Sequence, residues 1–492
     1  MKKQMTGKSR LIMILVALRI LSGCGNSNST AVQETADSME KETAAVETEV
    51  QFPYALQDYG GYTFTFLNMQ DVFWTGAHQI IDYEETQASI AEQAIYERNR
   101  KTEEELNILF QVEKVNDLGE LFPTMKQAVT AGDDIYDTVY LPLNWSGTSA
   151  LGGDCTINLY EIESLHLENP WWNQTFIQSA SINDALYATI DYINLMGYCY
   201  SHIPFFNKDI VEEHSMEMPY ELVKEEKWTY DEMFRYIENT VSLGDETEFK
   251  AVNTTTATFG LACNNNDALI AFWQGCGSNI VERKDDDTIC LNTDMNRIID
   301  AFDTMLPVLS QKGNCVKALS AEATGLSLFT NGKSLFYIAS LGSGDSGTFR
   351  DSDVRYGILP IPMLDESQNG YITTVNQYTL TMNVPLTSSD MERTGNILCY
   401  LEYLSWKDVI PELQRSLCYK GLSDEDSIQM MNIILDTTAV DIGIAYGWTL
   451  PMMDGLCNEM LNGNQTFVST YEQQKNMIQT EIDTVLQAGK TE

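Results

Sequence analysis

From Tyr62 onward the chain switches repeatedly between a two-residue and a near-helical spacing of apolar positions. Tyr62-Thr-Phe-Thr-Phe-Leu67 alternates and is rich in aromatic and Thr residues, the pattern of a strand with one buried face. In Ser89–Leu106, Ile90, Ala94, Ile95 and Leu106 recur at near-helical spacing among charges, which predicts a helix. Ile108–Val112 reads as a second strand, Leu118–Ala131 as a second helix and Ile135–Leu141 as a third strand. A βαβαβ order of this kind predicts an α/β protein with a mostly parallel sheet flanked by helices. Further strands are predicted at Leu186–Asn194, Ser334–Ala339, Val354–Pro360 and Tyr378–Val384. Further helices are predicted at Asp231–Val241, Asp294–Leu309, Thr394–Leu404, Asp424–Leu435 and Val468–Leu486. No internal repeat interrupts this alternation.

The first residues follow a different logic. Lys2, Lys3, Lys8 and Arg10 precede the apolar run Leu11–Leu18, which is too short to span a bilayer but suits the core of an export signal. Leu21-Ser22-Gly23-Cys24 resembles the bacterial lipobox, with Arg19 as a departure inside the apolar region. That resemblance implies removal of residues 1–23 and diacylation of Cys24 as the mature N-terminus. Two acyl chains hold a soluble body at a membrane. The stretch 24–52 is rich in Ser, Thr, Asn, Ala and Glu and reads as a flexible tether. The expected location is the outer face of a cell membrane, on the extracellular side of a Gram-positive-type bacterium.

Composition narrows the function classes. With 492 residues, 43% hydrophobic and 21% charged, the chain has material for more than one core and is neither wholly disordered nor a polytopic membrane protein. Lys and Arg number 30 against 71 Asp and Glu, a net charge of -41, which repels phosphate backbones and argues against a nucleic-acid partner. Beyond Cys24, nine Cys remain with no CxxC pair, and none of the four His lies at ligand spacing from a Cys or another His. No metal or other cofactor is therefore expected. An odd count leaves at least one thiol unpaired, with Cys263 and Cys276 one open pairing.

Several motifs suggest catalysis and fail on context. Gly342-Ser-Gly-Asp-Ser-Gly347 follows a strand as a dinucleotide fingerprint does, but Thr348–Asp353 has no apolar helical face and leads into another strand. Gly344-Asp-Ser-Gly347 echoes a serine-protease nucleophile loop without a His-containing partner motif. Asn331-Gly-Lys-Ser334 lacks the leading Gly of a phosphate-binding loop, and Asp285–Asp287 lacks the Gly and Glu of a calcium loop. Paired carboxylates for glycoside hydrolysis cannot be singled out among so many acidic residues.

The remaining segments resemble a binding-protein family. Gly132-Asp-Asp-Ile-Tyr-Asp137-Thr-Val-Tyr-Leu resembles the "agdxpDvv" strand of bacterial extracellular solute-binding proteins of family 1, the maltose-binding-protein-like group. In the same order follow Leu186-Tyr-Ala-Thr-Ile with Phe206-Asn-Lys-Asp209, Trp228-Thr-Tyr-Asp-Glu232, Phe329–Phe336, Tyr356–Pro362 and Asn396–Leu404. The resemblance implies a two-lobed, type II periplasmic-binding-protein-like fold. One lobe is expected from 53–188 plus 350–387, the other from 189–349 plus 388–492, joined by hinge crossings near Thr189 and Asp351. It also implies a monomer that captures a small-molecule ligand, expected to be a carbohydrate and specifically an oligosaccharide, and delivers it to ABC permease subunits without catalysis. A secreted lipoprotein glycosidase, or a sensor subunit of the same fold, is the alternative.

Sugars offer apolar ring faces and hydroxyls, so their sites combine aromatic plates with Asp, Asn, Glu and Gln. Candidate ligand residues lie after strand ends, where the family places its cleft. They are Asn68, Asp71 and Trp74 after the first strand, and Asn144 and Trp145 after the third. Asp191, Tyr192 and Asn194 stand at the first crossing, and Trp273 before a Gly-containing turn. Asn376, Gln377 and Tyr378 lead into a late strand, and Tyr446 and Trp448 occupy a C-terminal loop. Where maltose-binding relatives carry a Trp after the "F.nGkaAm" segment, this chain has Ser340-Leu-Gly-Ser-Gly344, which argues against maltodextrin specifically.

Overall fold

Parallel pairing of the first two predicted strands sets the architecture. A computed structural model describes residues 50–69, 90–144, 155–182, 184–284, 288–345, 347–418 and 424–488. β1 (Tyr62–Met69) lies parallel to β2 (Ile108–Val115), with Tyr62 opposite Ile108, and parallel to β3 (Thr138–Pro142) on its other side. The connections are α1 (Ile90–Leu106) and α2 (Leu118–Ala131). Asp117 caps α2 by accepting from the Gly119 N–H at 2.7 Å, and Gly132 ends it in the left-handed region at φ 75°. β12 (Leu380–Asn383) completes this sheet antiparallel to β3, giving the order β12-β3-β1-β2.

A second sheet has the order β10-β4-β9-β5-β8. Its strands are β4 (His202–Asn207), β5 (Phe259–Cys263), β8 (Cys315–Lys317), β9 (Ser334–Ser340) and β10 (Tyr356–Ile358). β5 runs parallel to β8 and β9, whereas β4 is antiparallel to both β9 and β10. Two short ribbons, β6 (Val281–Arg283) with β7 (Ile289–Leu291) and β11 (Thr373–Thr374) with β13 (Thr438–Ala439), lie outside these sheets. The helices that matter below are α3 (Tyr230–Thr240), α4 (Asp267–Gln274), α5 (Asn296–Leu309), α6 (Met391–Leu404), α7 (Leu450–Leu461) and α8 (Phe467–Ala488). Both sheets belong to one structural unit, Tyr54–Glu492, and of Met1–Pro53 only residues 50–53 are described.

The elements depart from the sequence pattern in several places. Leu186–Asn194 forms no strand: it makes one bridge, Thr189 to Met382, and then turns. Asp191 Oδ1 accepts from the Asn194 N–H at 2.7 Å, and Asn194 Oδ1 from the Met196 N–H at 3.1 Å. Such local side-chain bonds compete with a strand ladder. Conversely, β4 escaped prediction because all six of its residues are buried, so no alternation marks it, and Pro204 sits inside it. Finally, the expected lobe boundaries shift. Tyr356–Ile358 pairs in the second sheet, so the segment 350–387 does not belong wholly to the first lobe. Met391–Leu404 packs on the first lobe, where Tyr400 donates to Glu105 and the Ser164 hydroxyl donates to the Glu392 carbonyl.

After β9 the Gly-rich stretch forms a tight turn, Leu341–Asp345, then the single helical turn Gly347–Arg350 before β10. Cys263 and Cys276 are both free and buried, so they do not form the disulfide left open above. Among the described residues no cluster of three or more His, Cys, Asp or Glu is arranged to hold a metal ion, and no helix is long and apolar enough to cross a membrane.

Candidate functional site

Strand direction brings the ends of both sheets to one polar locus. In the first sheet β1 runs out at Met69, just after Asn68, and β3 at Pro142, followed by Leu143 and Asn144, while β12 starts from the same edge at Leu380. In the second sheet β5 ends at Cys263, followed by Asn264 and the start of α4 at Asp267. On that edge β9 ends at Ser340, opposite the first residue of β4, His202. The carboxyl ends of parallel strands are where open α/β sheets bind ligands, because their loops are free of the ladder.

Asn376-Gln377-Tyr378 ties the two edges together. Asn144 donates its N–H to the Gln377 carbonyl at 3.1 Å, and Leu143 donates to the Thr379 carbonyl at 2.8 Å. On the other side the Asn376 N–H donates to the Tyr200 carbonyl at 3.3 Å. Gln377 Nε2 donates to Asp267 Oδ1 at 2.6 Å, and the Asn376 amide lies 3.2 Å from His202 Nδ1. An amide donating to Nδ1 leaves the imidazole proton on Nε2. Burial pushes the His202 pKa down, against the pull of nearby Asp267, so the ring is held neutral. Tyr200 leans on His202 with ring centres 5.7 Å apart, and burial raises its phenol above the ordinary value. Tyr378 is half-buried, and burial raises its hydroxyl as well.

Three buried oxygens around these edges have no hydrogen-bond partner: Asn68 Oδ1, Asn264 Oδ1 and Thr379 Oγ1. A buried polar atom without a partner costs about 1–3 kcal/mol, so such atoms mark places where a ligand or water completes the bonding. The chemistry on offer is amide, hydroxyl, neutral imidazole and one carboxylate beside aromatic rings. That set exchanges hydrogen bonds with a hydroxyl-rich neutral molecule.

The sequence-predicted residues divide into three groups. Asn144, Asn376, Gln377 and Tyr378 meet at these edges, and Asn68 stands one residue before the end of β1. Asp71, Trp74 and Trp145, like Cys24, lie outside the described residues. The others are corrected by burial. Trp273 is 1% exposed, packed against Phe302 at 5.6 Å and Phe467 at 5.3 Å, with its indole N–H directed at the Ile298 carbonyl. Trp448 stacks on Tyr446 at 4.9 Å, and the Tyr446 hydroxyl is committed to the Ala180 carbonyl. Neither indole has a free face. Asp191 and Asn194 are buried in the turn described above, and the Tyr192 N–H donates to Glu402 at 2.8 Å. The small cavity beside them, about 40 Å³, holds no sugar ring, since ligand pockets are typically about 300–1,000 Å³. A groove of about 540 Å³ between α3 and α5 has ligand-sized room, but it is lined by Asp231, Arg235, Glu238 and Thr304 rather than by strand ends.

Tyr200, His202, Asn264 and Asp267 went unnoticed in the sequence. His202 opens β4 and the others flank β4 and β5, which are fully buried runs without alternation. Asn264-Asn-Asn-Asp267, a cluster of turn formers before an apolar helix, was the available signal.

No protein-family profile and no curated protein matches the sequence. Solved structures do match. An ABC substrate-binding protein from Listeria monocytogenes, in complex with cycloalternan, superposes with TM-score 0.57 at 12% identity, covering 86% of this chain and 99% of its own. The galacto-N-biose/lacto-N-biose I-binding protein of a Bifidobacterium longum ABC transporter, with lacto-N-biose, gives TM-score 0.56 at 10% identity, covering 88% and 99%. A Mycobacterium tuberculosis protein in complex with glycerophosphocholine gives TM-score 0.55 at 15% identity, covering 86% and 98%. With two helix-flanked sheets and near-complete coverage of these neighbours, the chain has the two-lobed type II periplasmic-binding-protein fold, the fold of ABC-transporter substrate-binding proteins.

Proposed function

We propose that this protein captures a carbohydrate between its lobes and delivers it to an ABC importer, without catalysing a reaction. The observation that carries the reading is the convergence of both strand edges on Asn376–Tyr378, with amides, Asp267, neutral His202 and unpartnered buried oxygens around it. Such a locus recognises hydroxyls from two sides, so binding favours a particular separation of the lobes. The neighbours bound to cycloalternan and lacto-N-biose support a sugar. Trp145, next in sequence after Asn144, is our candidate for an aromatic plate, with Asp71 and Trp74, which follow Met69 in the chain. In the same proposal Cys24 anchors the body through lipid at the outer face of the membrane, and the protein acts as a monomer.

The test is a thermal-shift screen of the body from Tyr54 onward, using malto-oligosaccharides, lacto-N-biose, mannotriose, polyols, glycerophosphocholine and short peptides. A ligand at 100 times its Kd stabilises the native state by about 2.7 kcal/mol, which a melting curve resolves. Stabilisation by a saccharide supports the proposal. Stabilisation by glycerophosphocholine or a peptide alone would refute the carbohydrate reading, and turnover of the stabilising sugar would refute the non-catalytic one.

A further inference from the structure

The turn that follows the Thr189 bridge leads from the first sheet into β4 of the second, and three buried ionisable side chains close on it. Glu402, from α6, is fully buried. Its Oε2 accepts from the Tyr192 N–H at 2.8 Å and the Ile193 N–H at 3.1 Å, and its Oε1 accepts from the Tyr192 N–H at 3.0 Å. Arg98, from α1, holds the other side of the same turn. Its Nη1 donates to the Ile193 carbonyl at 3.2 Å and to Ser405 Oγ at 2.9 Å. Ser405 opens a π-helical turn, Ser405–Val409, directly after α6, an irregularity that recurs where helices serve a function. The crossing is thus gripped through its N–H groups and its carbonyl by two elements of the first lobe.

The third group is Asp191, inside the turn itself. Its Oδ1 is used by the Asn194 N–H, but Oδ2 is buried without a partner, and so is the Tyr140 hydroxyl of β3 that lies against it. The groups facing the pair are Arg98 from α1, Tyr140 from β3, Tyr192 in the turn and Cys399 on α6. One cation among them faces two carboxylates. With both carboxylates ionised, the cluster would carry an uncompensated negative charge in the core, which is costly without water.

We propose that Asp191 and Glu402 retain a single proton, carried on Asp191 Oδ2 and donated to the Tyr140 hydroxyl oxygen, and that its loss loosens the grip on the crossing. Burial pushes the Glu402 carboxyl up as well, but the Tyr192 and Ile193 N–H donors oppose that shift, which leaves the proton to the unpartnered Asp191 Oδ2. With the proton on Oδ2 the carboxyl donates to the Tyr140 oxygen, whereas an ionised Asp191 would instead accept from the Tyr140 hydroxyl. Burial pushes the Asp191 carboxyl up to about 7, so the switch falls near neutrality. Loss of the proton leaves a net charge beside Arg98 and competes for the guanidinium that holds Ile193 and Ser405. The proposal concerns the crossing alone and needs no ligand, so it stands or falls independently of the function proposed above.

Two measurements on the purified body test it. Infrared spectroscopy at about pH 6 should show a protonated carboxylic acid band that titrates away toward pH 8.5, is absent in Asp191→Asn, and shifts to higher frequency in Tyr140→Phe. Amide hydrogen exchange at Tyr192 and Ile193 should show protection falling by about tenfold or more over the same range in the parent, the equivalent of one pKa unit, and by less than about twofold in Asp191→Asn. A band that survives Asp191→Asn, or one unmoved by Tyr140→Phe, overturns the assignment of the proton. Equal loss of protection in parent and Asp191→Asn overturns the link to the crossing. If Asp191→Asn does not fold, the Tyr140→Phe shift still decides.

Discussion

Replacing Trp273 by Ala separates a core role from a ligand-plate role by magnitude. The indole is 1% exposed and lies between Phe302 of α5 and Phe467 of α8, with interplanar angles of 49° and 69°. Truncating a buried Trp costs about 3–5 kcal/mol through lost transfer energy and the cavity left behind. Tilted and edge-to-face aromatic pairs add about 0.5–1.5 kcal/mol each beyond area burial, already partly counted in that range. The N–H to the Ile298 carbonyl is long at 3.4 Å and contributes at the low end, about 0.5 kcal/mol. A loss of about 4 kcal/mol is therefore expected, which lowers the melting temperature by roughly 4 °C in a unit of this size. Urea unfolding followed by circular dichroism measures the loss, and calorimetric titration with the best saccharide from the screen measures affinity below the transition. Trp273→Phe, which keeps much of the packing, should recover more than half of the stability. A Trp273→Ala protein with melting temperature unchanged and binding abolished would refute the core assignment.

The remaining predictions address the cleft, the buried charges and the anchor. Asp267→Ala removes the acceptor of Gln377 and a carboxylate at the strand edges; it should weaken saccharide binding by about 1.5–3 kcal/mol while changing unfolding free energy by less than about 1 kcal/mol, as titration and urea melts would report. Asp441, whose carboxylate caps Gly443 and Ile444 in the core, is pushed up to about 6 by burial. A raised carboxyl pKa means that the native state keeps a proton the unfolded chain has lost, so stability declines as pH rises from about 4 to about 6. Asp441→Asn should flatten that decline in melting curves taken across the interval. Trp145→Ala should weaken sugar binding by about 1–3 kcal/mol with little change in the unliganded melting temperature, the mark of a ligand anchor rather than a core residue. Cys24→Ser should release the protein from the membrane fraction without detergent, and continued sedimentation with membranes would count against the lipid anchor.

Local pattern was enough for the parallel β1, β2 and β3 with α1 and α2, because each strand has one face toward helices and each helix a charged outer side. It was enough also for α6, for β12 and for placing Asn144 and Asn376–Tyr378 beside strand ends, since residues flanking a strand reach the edge wherever the sheet is placed. It could not reveal β4 and β5, whose burial on both faces erases alternation, nor therefore Tyr200, His202 and Asp267 beside them. Indoles were the weakest inference. Trp273 and Trp448 have the composition of sugar plates, yet whether an aromatic face meets solvent or Phe302, Phe467 and Tyr446 depends on how distant helices pack. The same holds for Asp191. Its sequence neighbourhood looks like a polar ligand loop, and only tertiary structure brings Arg98, Tyr140 and Glu402, from 51 to 211 residues away along the chain, into one buried cluster. Periodicity records which face of an element is buried, whereas the identity of the groups that share a buried space is set by long-range contacts that leave no local trace.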